Sequence, residues 1–170
     1  MNKIVDKAKQ ILKGVQFDFE ITFDWDDSYY EPYYEYFSHS DVEVRKYALL
    51  IFLGGLGNWH LGSAHIFTPV DQRNPCDTFD KDKMYHFKDY IGSFLRHKDT
   101  IKQEFPLLYS RIVWYLIRLD NKGILQSVFT SMDQQLINDL KHVLSTSGID
   151  ASEFQNNFID IIKEVGITSH

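Results

Sequence analysis

Cysteine is almost absent from this 170-residue chain. Only Cys76 is present, so no disulfide can close within it. A lone thiol fits a reducing compartment better than a secreted one. Long apolar runs are also missing. The longest, Tyr47 to Leu53, is too short to cross a bilayer. Residues 1–13 interleave charges with apolar side chains and lack the apolar stretch of a signal peptide. A cytoplasmic location and no membrane contact are expected. Lys and Arg are absent between Lys13 and Arg45. Catalytic signatures are missing too. Gly54-Gly55-Leu56-Gly57 has no following Lys-Ser/Thr and follows a helical stretch, unlike a phosphate-binding loop. There is no serine elbow, and Cys76 has no marked activating neighbour. His60 and His65, with Asp71, Cys76 and Asp77 downstream, lack the close ligand pairs that zinc takes. Asp77, Asp80 and Asp82 lack the glycine and terminal glutamate of a calcium loop. No enzyme, no cofactor and no metal site are expected.

What is present fits one helical domain. Hydrophobic residues make up 44% and charged residues 25%, ordinary values for a globular chain. Residues 1–38 form an acidic, aromatic N-terminal segment, and residues 39–170 a helical body. A short helix is expected over 3–13. Residues 17–25 alternate without a break, with Phe17, Phe19, Ile21, Phe23 and Trp25 on one side. That period of two predicts a strand-like stretch. It either pairs with residues near 64–68 or straps across helices. Residues 28–37 are tyrosine-rich and predicted helical, with Pro32 in the first turn.

The body reads as helical hairpins in series. Ser40 with Glu43 forms a capping box, and Gly57 is a natural stop. Tyr47 to Leu53 is apolar all round, the pattern of a buried helix. Residues 57–77 read as the longest loop. Met84, Phe87, Ile91, Phe94 and Leu95 then recur at helical spacing. Pro106 breaks or restarts the next helix, which ends at Gly123. Ser131 with Gln134 and Asp150 with Glu153 are further capping patterns, and Gly148 and Gly166 are expected stops. The predicted class is mostly α: stacked antiparallel helical hairpins, HEAT-like or an irregular bundle, with one N-terminal extended segment.

The distribution of charge is uneven. Residues 14–44 hold nine acids and no base; the rest of the chain holds 15 acids and 18 bases, a balance of +3. Ten of the 26 aromatics lie within residues 17–37. Each can bury roughly 150–250 Å², while carboxylates must stay wet or find partners. Some rings are therefore expected at the surface beside acids. Such a surface anchors a partner through its rings and attracts a basic one through its charge. The net charge of -6 disfavours direct nucleic-acid binding. The candidate partner-binding residues are Asp18, Glu20, Asp24, Trp25, Asp26, Asp27, Tyr29, Tyr30, Glu31, Tyr33, Tyr34 and Glu35. An acidic run that is only a solvated face, with aromatics packed inward, is the plainer alternative.

Two resemblances accompany these patterns. The stretch Ser40-Asp41-Val42-Glu43-Val44-Arg45-Lys46-Tyr47-Ala48-Leu49-Leu50 resembles a HEAT-type repeat helix, which implies stacked helices and a binding surface. Asp26-Asp27-Ser28-Tyr29-Tyr30-Glu31-Pro32 is similar in kind to the tyrosine pair close to acids and a proline in immunity proteins of the colicin DNase type, and the small acidic helical chain resembles bacterial toxin-immunity proteins more widely, a class whose contact-dependent inhibition members vary in sequence and are in some cases helical. That likeness implies tight binding to a basic toxin domain, often a nuclease, with Asp26, Asp27, Tyr29, Tyr30 and Glu31 covering its active site. The expected function is a non-enzymatic immunity or antitoxin protein. A HEAT-like scaffold or adaptor is the second expectation, and a small hydrolase using the acids is the third.

Overall fold

The computed structural model describes Asp6, residues 33–60, 87–121, Gly123, Leu125, Gln126, 129–150 and 158–166. Among them are six α-helices and no strand: α1 (Val42–His60), α2 (Phe87–Arg96), α3 (Lys98–Glu104), α4 (Pro106–Asn121), α5 (Gln134–Thr146) and α6 (Phe158–Val165). Two 3-10 helices, Tyr33–Tyr36 and Ser131–Asp133, precede α1 and α5. The helix expected over 3–13, the alternating stretch 17–25, the loop expected over 57–77 and the capping pattern at Asp150–Glu153 lie outside the described residues, wholly or in part.

Helix α1 is central because it is apolar on every side. All seven residues from Tyr47 to Leu53 are buried. Such a helix is stable only where neighbours cover it all round. The first 3-10 helix and α4 pack against it directly, and α2 reaches it through aromatic rings. Phe52 stacks on Tyr90 at 5.5 Å and tilts against Phe37 at 5.8 Å and Phe94 at 5.9 Å. Phe94 in turn stacks on Tyr109 of α4 at 5.5 Å. This ladder of rings joins the 3-10 helix, α1, α2 and α4 into one core.

Several boundaries differ from the sequence expectation. The residue that caps α1 is Asp41, whose Oδ1 accepts the Glu43 amide at 2.9 Å. Ser40 is not the cap, and Glu43 turns to the Lys46 ammonium instead of back to the helix start. The helix also runs past Gly57 to His60. A glycine ends a helix only where it takes positive φ, and Gly57 does not. The tyrosine-rich segment closes as a 3-10 helix over Tyr33–Tyr36. The capping box before α5 is Thr130 with Asp133, one residue ahead of the predicted Ser131 and Gln134. Pro106 begins α4 as expected, and Gly123, Gly148 and Gly166 take φ of 76°, 72° and 72° after their helices.

Candidate functional site

Three of the twelve candidate residues are described, and they divide by chemistry. Tyr33 is 2% exposed and belongs to the core, so it does not supply a surface anchor. Tyr34 is half-buried, edge-on to Tyr90 at 5.3 Å, and its carbonyl accepts the buried Ser93 hydroxyl at 2.8 Å. Glu35 is exposed. A 3-10 turn of only four residues sends Tyr33 and Phe37 inward and leaves Glu35 on the water side. Burial of a ring is favourable, whereas burial of an unpaired carboxylate is not. Asp18, Glu20, Asp24, Trp25, Asp26, Asp27, Tyr29, Tyr30 and Glu31 lie outside the described residues.

The acidic run continues into α1 on a braced support. Asp41 is exposed at the helix start, where its charge also suits the positive end of the helix dipole. Arg45 sits one turn on and ties three pieces of chain together. Its Nε and Nη2 donate to the two Glu104 oxygens at 2.9 and 2.7 Å, and its Nη1 donates to the carbonyls of His39 at 2.6 Å and Ser40 at 3.1 Å. The Glu104 bond raises the guanidinium pKa above its ordinary value against the opposing effect of burial, so the charge is permanent. The paired geometry is of the stronger, bidentate kind. Arg45 is therefore engaged in fixing the turn, and the nearby Asp41 charge also favours its charged form. Lys46 is likewise taken up, by Glu43 and by the Tyr47 ring at 5.6 Å. Burial, with the Glu43 charge adding, pushes the Tyr47 hydroxyl pKa up, so this phenol stays neutral.

Two concave places lie elsewhere. A pocket of about 260 Å³ opens between the end of α4 and α5, with Leu125, Phe129, Ile137 and Leu140 as its apolar wall and Asp120 and Lys141 at its rim. A larger groove, about 650 Å³, runs between α2 and α5. Neither was foreseen from the sequence. The one signal available was Met132, an apolar side chain set among capping residues, which is 93% exposed. Among the described residues no group of three or more His, Cys, Asp or Glu could hold a metal ion, and no helix is long and apolar enough to cross a membrane. No family model matches the chain, and no curated protein or solved structure shows significant similarity to it.

Proposed function

We propose that this chain is a non-enzymatic protein-binding protein whose acidic N-terminal quarter takes a basic protein surface. Its most specific form is an immunity or antitoxin protein, acting in the cytoplasm, that occludes the active site of a cationic toxin domain. The observation that carries the reading is the segregation of charge: nine acids and no base over residues 14–44, against +3 elsewhere. The exposure of Glu35 and Asp41 supports it. Rings that anchor the partner are then Trp25, Tyr29 and Tyr30, with Tyr34 at the margin; Tyr33 serves the core. The helical body is the rigid support, a stack of helical hairpins of HEAT-like or irregular kind.

The mechanism is attraction followed by burial. Carboxylates speed the encounter over distances of about one Debye length, near 8–10 Å at physiological salt. Rings then exclude water from the closed contact and slow dissociation. The test uses the product of the gene immediately upstream as the partner. Co-purification, with an association rate that falls steeply as salt rises, is the expected result. Asp26→Lys combined with Asp27→Lys should slow association at least about tenfold and flatten the salt dependence, with the far-UV circular dichroism unchanged. An affinity that ignores this double change removes the acidic segment from the mechanism.

A further inference from the structure

The turn between α4 and α5 leaves a hollow that its own side chains do not fill. Gly123 reverses the chain after α4, and the Phe129 amide donates to the Leu125 carbonyl at 3.1 Å, closing one helical turn. Residues four apart on such a turn share a side, so Leu125 and Phe129 lie on the same one. On α5, Ile137, Leu140, Lys141 and Leu144 share one helix face by their spacing. The two faces enclose the pocket of about 260 Å³. Leu125 and Leu140 are buried and form its floor. Phe129, Ile137 and Leu144 are half-buried and form its walls. The mouth is polar, and most of its groups are already engaged. Asp120 Oδ1 accepts the Gln126 side-chain amide at 3.0 Å, Thr130 is held in its capping box with Asp133, and the Gln134 amide donates to Asn138 at 2.8 Å. Lys141 differs from these. It is the charged member of an otherwise apolar stripe, it is exposed at the mouth, and among the described residues it forms no ion pair, with Asp120 or with any other acid.

We infer that this pocket binds a small apolar monocarboxylate, its hydrocarbon body against Leu125, Phe129 and Leu140 and its acid group at the Lys141 ammonium. The size of the ligand follows from the volume. A dry cavity of roughly 150 Å³ lined by Leu, Ile and Phe accepts benzene, so a pocket of about 260 Å³ takes a body of about ten non-hydrogen atoms. Its charge follows from the mouth. In such sites an apolar wall supplies most of the contact, and a few polar groups fix the direction of the ligand. Lys141 attracts an acid group and Asp120 repels one, so the ligand enters one way round. A cationic ligand would meet Lys141 with like charge, and would find one oxygen of Asp120 already occupied by Gln126. This inference rests neither on the acidic segment nor on what that segment binds.

Titration of the full isotope-labelled chain with sodium octanoate, followed through amide chemical shifts, tests it. Saturable shifts are expected, largest at Leu125, Phe129, Ile137 and Lys141, with a dissociation constant of about 0.01–1 mM for a ligand of this size. Butyrate keeps the acid and loses half of the chain, so it should bind at least about tenfold more weakly. Lys141→Met keeps the apolar stem and removes the charge. It should weaken octanoate about fivefold and leave the affinity for octanol within about twofold of the parent. Lys141 is exposed, so far-UV circular dichroism of this variant should match the parent. No saturable shift up to about 10 mM octanoate overturns the inference. So do shifts centred away from this pocket, butyrate binding as tightly as octanoate, or an octanoate affinity that Lys141→Met leaves unchanged.

Discussion

Asp133 shows how much one side chain holds at the start of α5. Its Oδ2 accepts the Thr130 amide at 2.7 Å, the Thr130 hydroxyl at 3.1 Å and the Lys88 ammonium at 3.1 Å. The Thr130 amide is the main cause that lowers the carboxyl pKa below its ordinary value; partial burial opposes it, and Lys88 adds to it. A carboxyl with a depressed folded pKa stabilises the fold above its unfolded pKa, near 3.8. That contribution is lost as pH falls through the lower folded value. Asp133→Asn should therefore destabilise by about 1 kcal/mol at neutral pH, the usual loss for a weakened cap. The deficit should shrink in strong acid, below the lowered folded value, where the parent carboxyl also becomes protonated. Urea midpoints at the two pH values measure this; a deficit that is the same in both removes the charge from the account. At this scale the sequence was only partly legible. Thr130 and Ser131 are both competent caps, and so are Ser40 and Asp41, so a one-residue choice rests on backbone geometry. Tyr33 was harder still, because a tyrosine beside carboxylates has the same letter pattern whether its ring turns in or out.

Elements were more legible where their boundaries depend on backbone chemistry. Pro106 lacks an amide hydrogen and sits where α4 needs none. The glycines after α4, α5 and α6 adopt a conformation that other residues resist. Gly57 carries the same letter, yet its backbone stays helical and α1 runs on to His60. The link between α4 and α6 had no local signature, because it joins residues far apart in sequence. Glu164 Oε1 and Oε2 accept the amides of Leu107 and Leu108, each at 2.9 Å. These are amides that the first turn of a helix leaves without internal partners. Both the hydrogen bonds and the helix dipole favour a carboxylate there. Glu164→Ala should lower stability by about 1–3 kcal/mol, and Glu164→Gln by less, since the amide oxygen keeps one bond. Hydrogen exchange locates the effect: the Leu107 and Leu108 amides should lose protection first. Ile161 and Val165, both buried, keep α6 seated, so amides in the middle of α6 should change less. Equal losses throughout the chain would mean that Glu164 acts on the whole fold and not on this junction.

For the whole molecule, the mostly helical class seen among the described residues followed from spacing alone, since apolar stripes and capping residues recur in the sequence of residues 39–170. Which face meets a partner did not follow, because charge patterning reports sign and density but not orientation. Density alone still has a physical consequence. Nine carboxylates in 31 residues without a base repel one another more in a compact chain than in an expanded one. Such a segment works against the fold that carries it, and screening should relieve the conflict. Raising sodium chloride from about 10 mM to about 150 mM shortens the Debye length from roughly 30 Å to 8 Å. The melting temperature of the parent should rise over that range by about 2–4 °C, which corresponds to roughly 1 kcal/mol for a chain of this size. Asp26→Asn combined with Asp27→Asn should raise the melting temperature at low salt and reduce the response to added salt. The comparison between parent and variant cancels general salt effects on apolar burial, which both chains share. If the acids are instead interspersed in space with the 18 bases, attraction balances repulsion. Salt would then leave the parent unchanged or destabilise it, and the paired Asn variant would melt no higher than the parent.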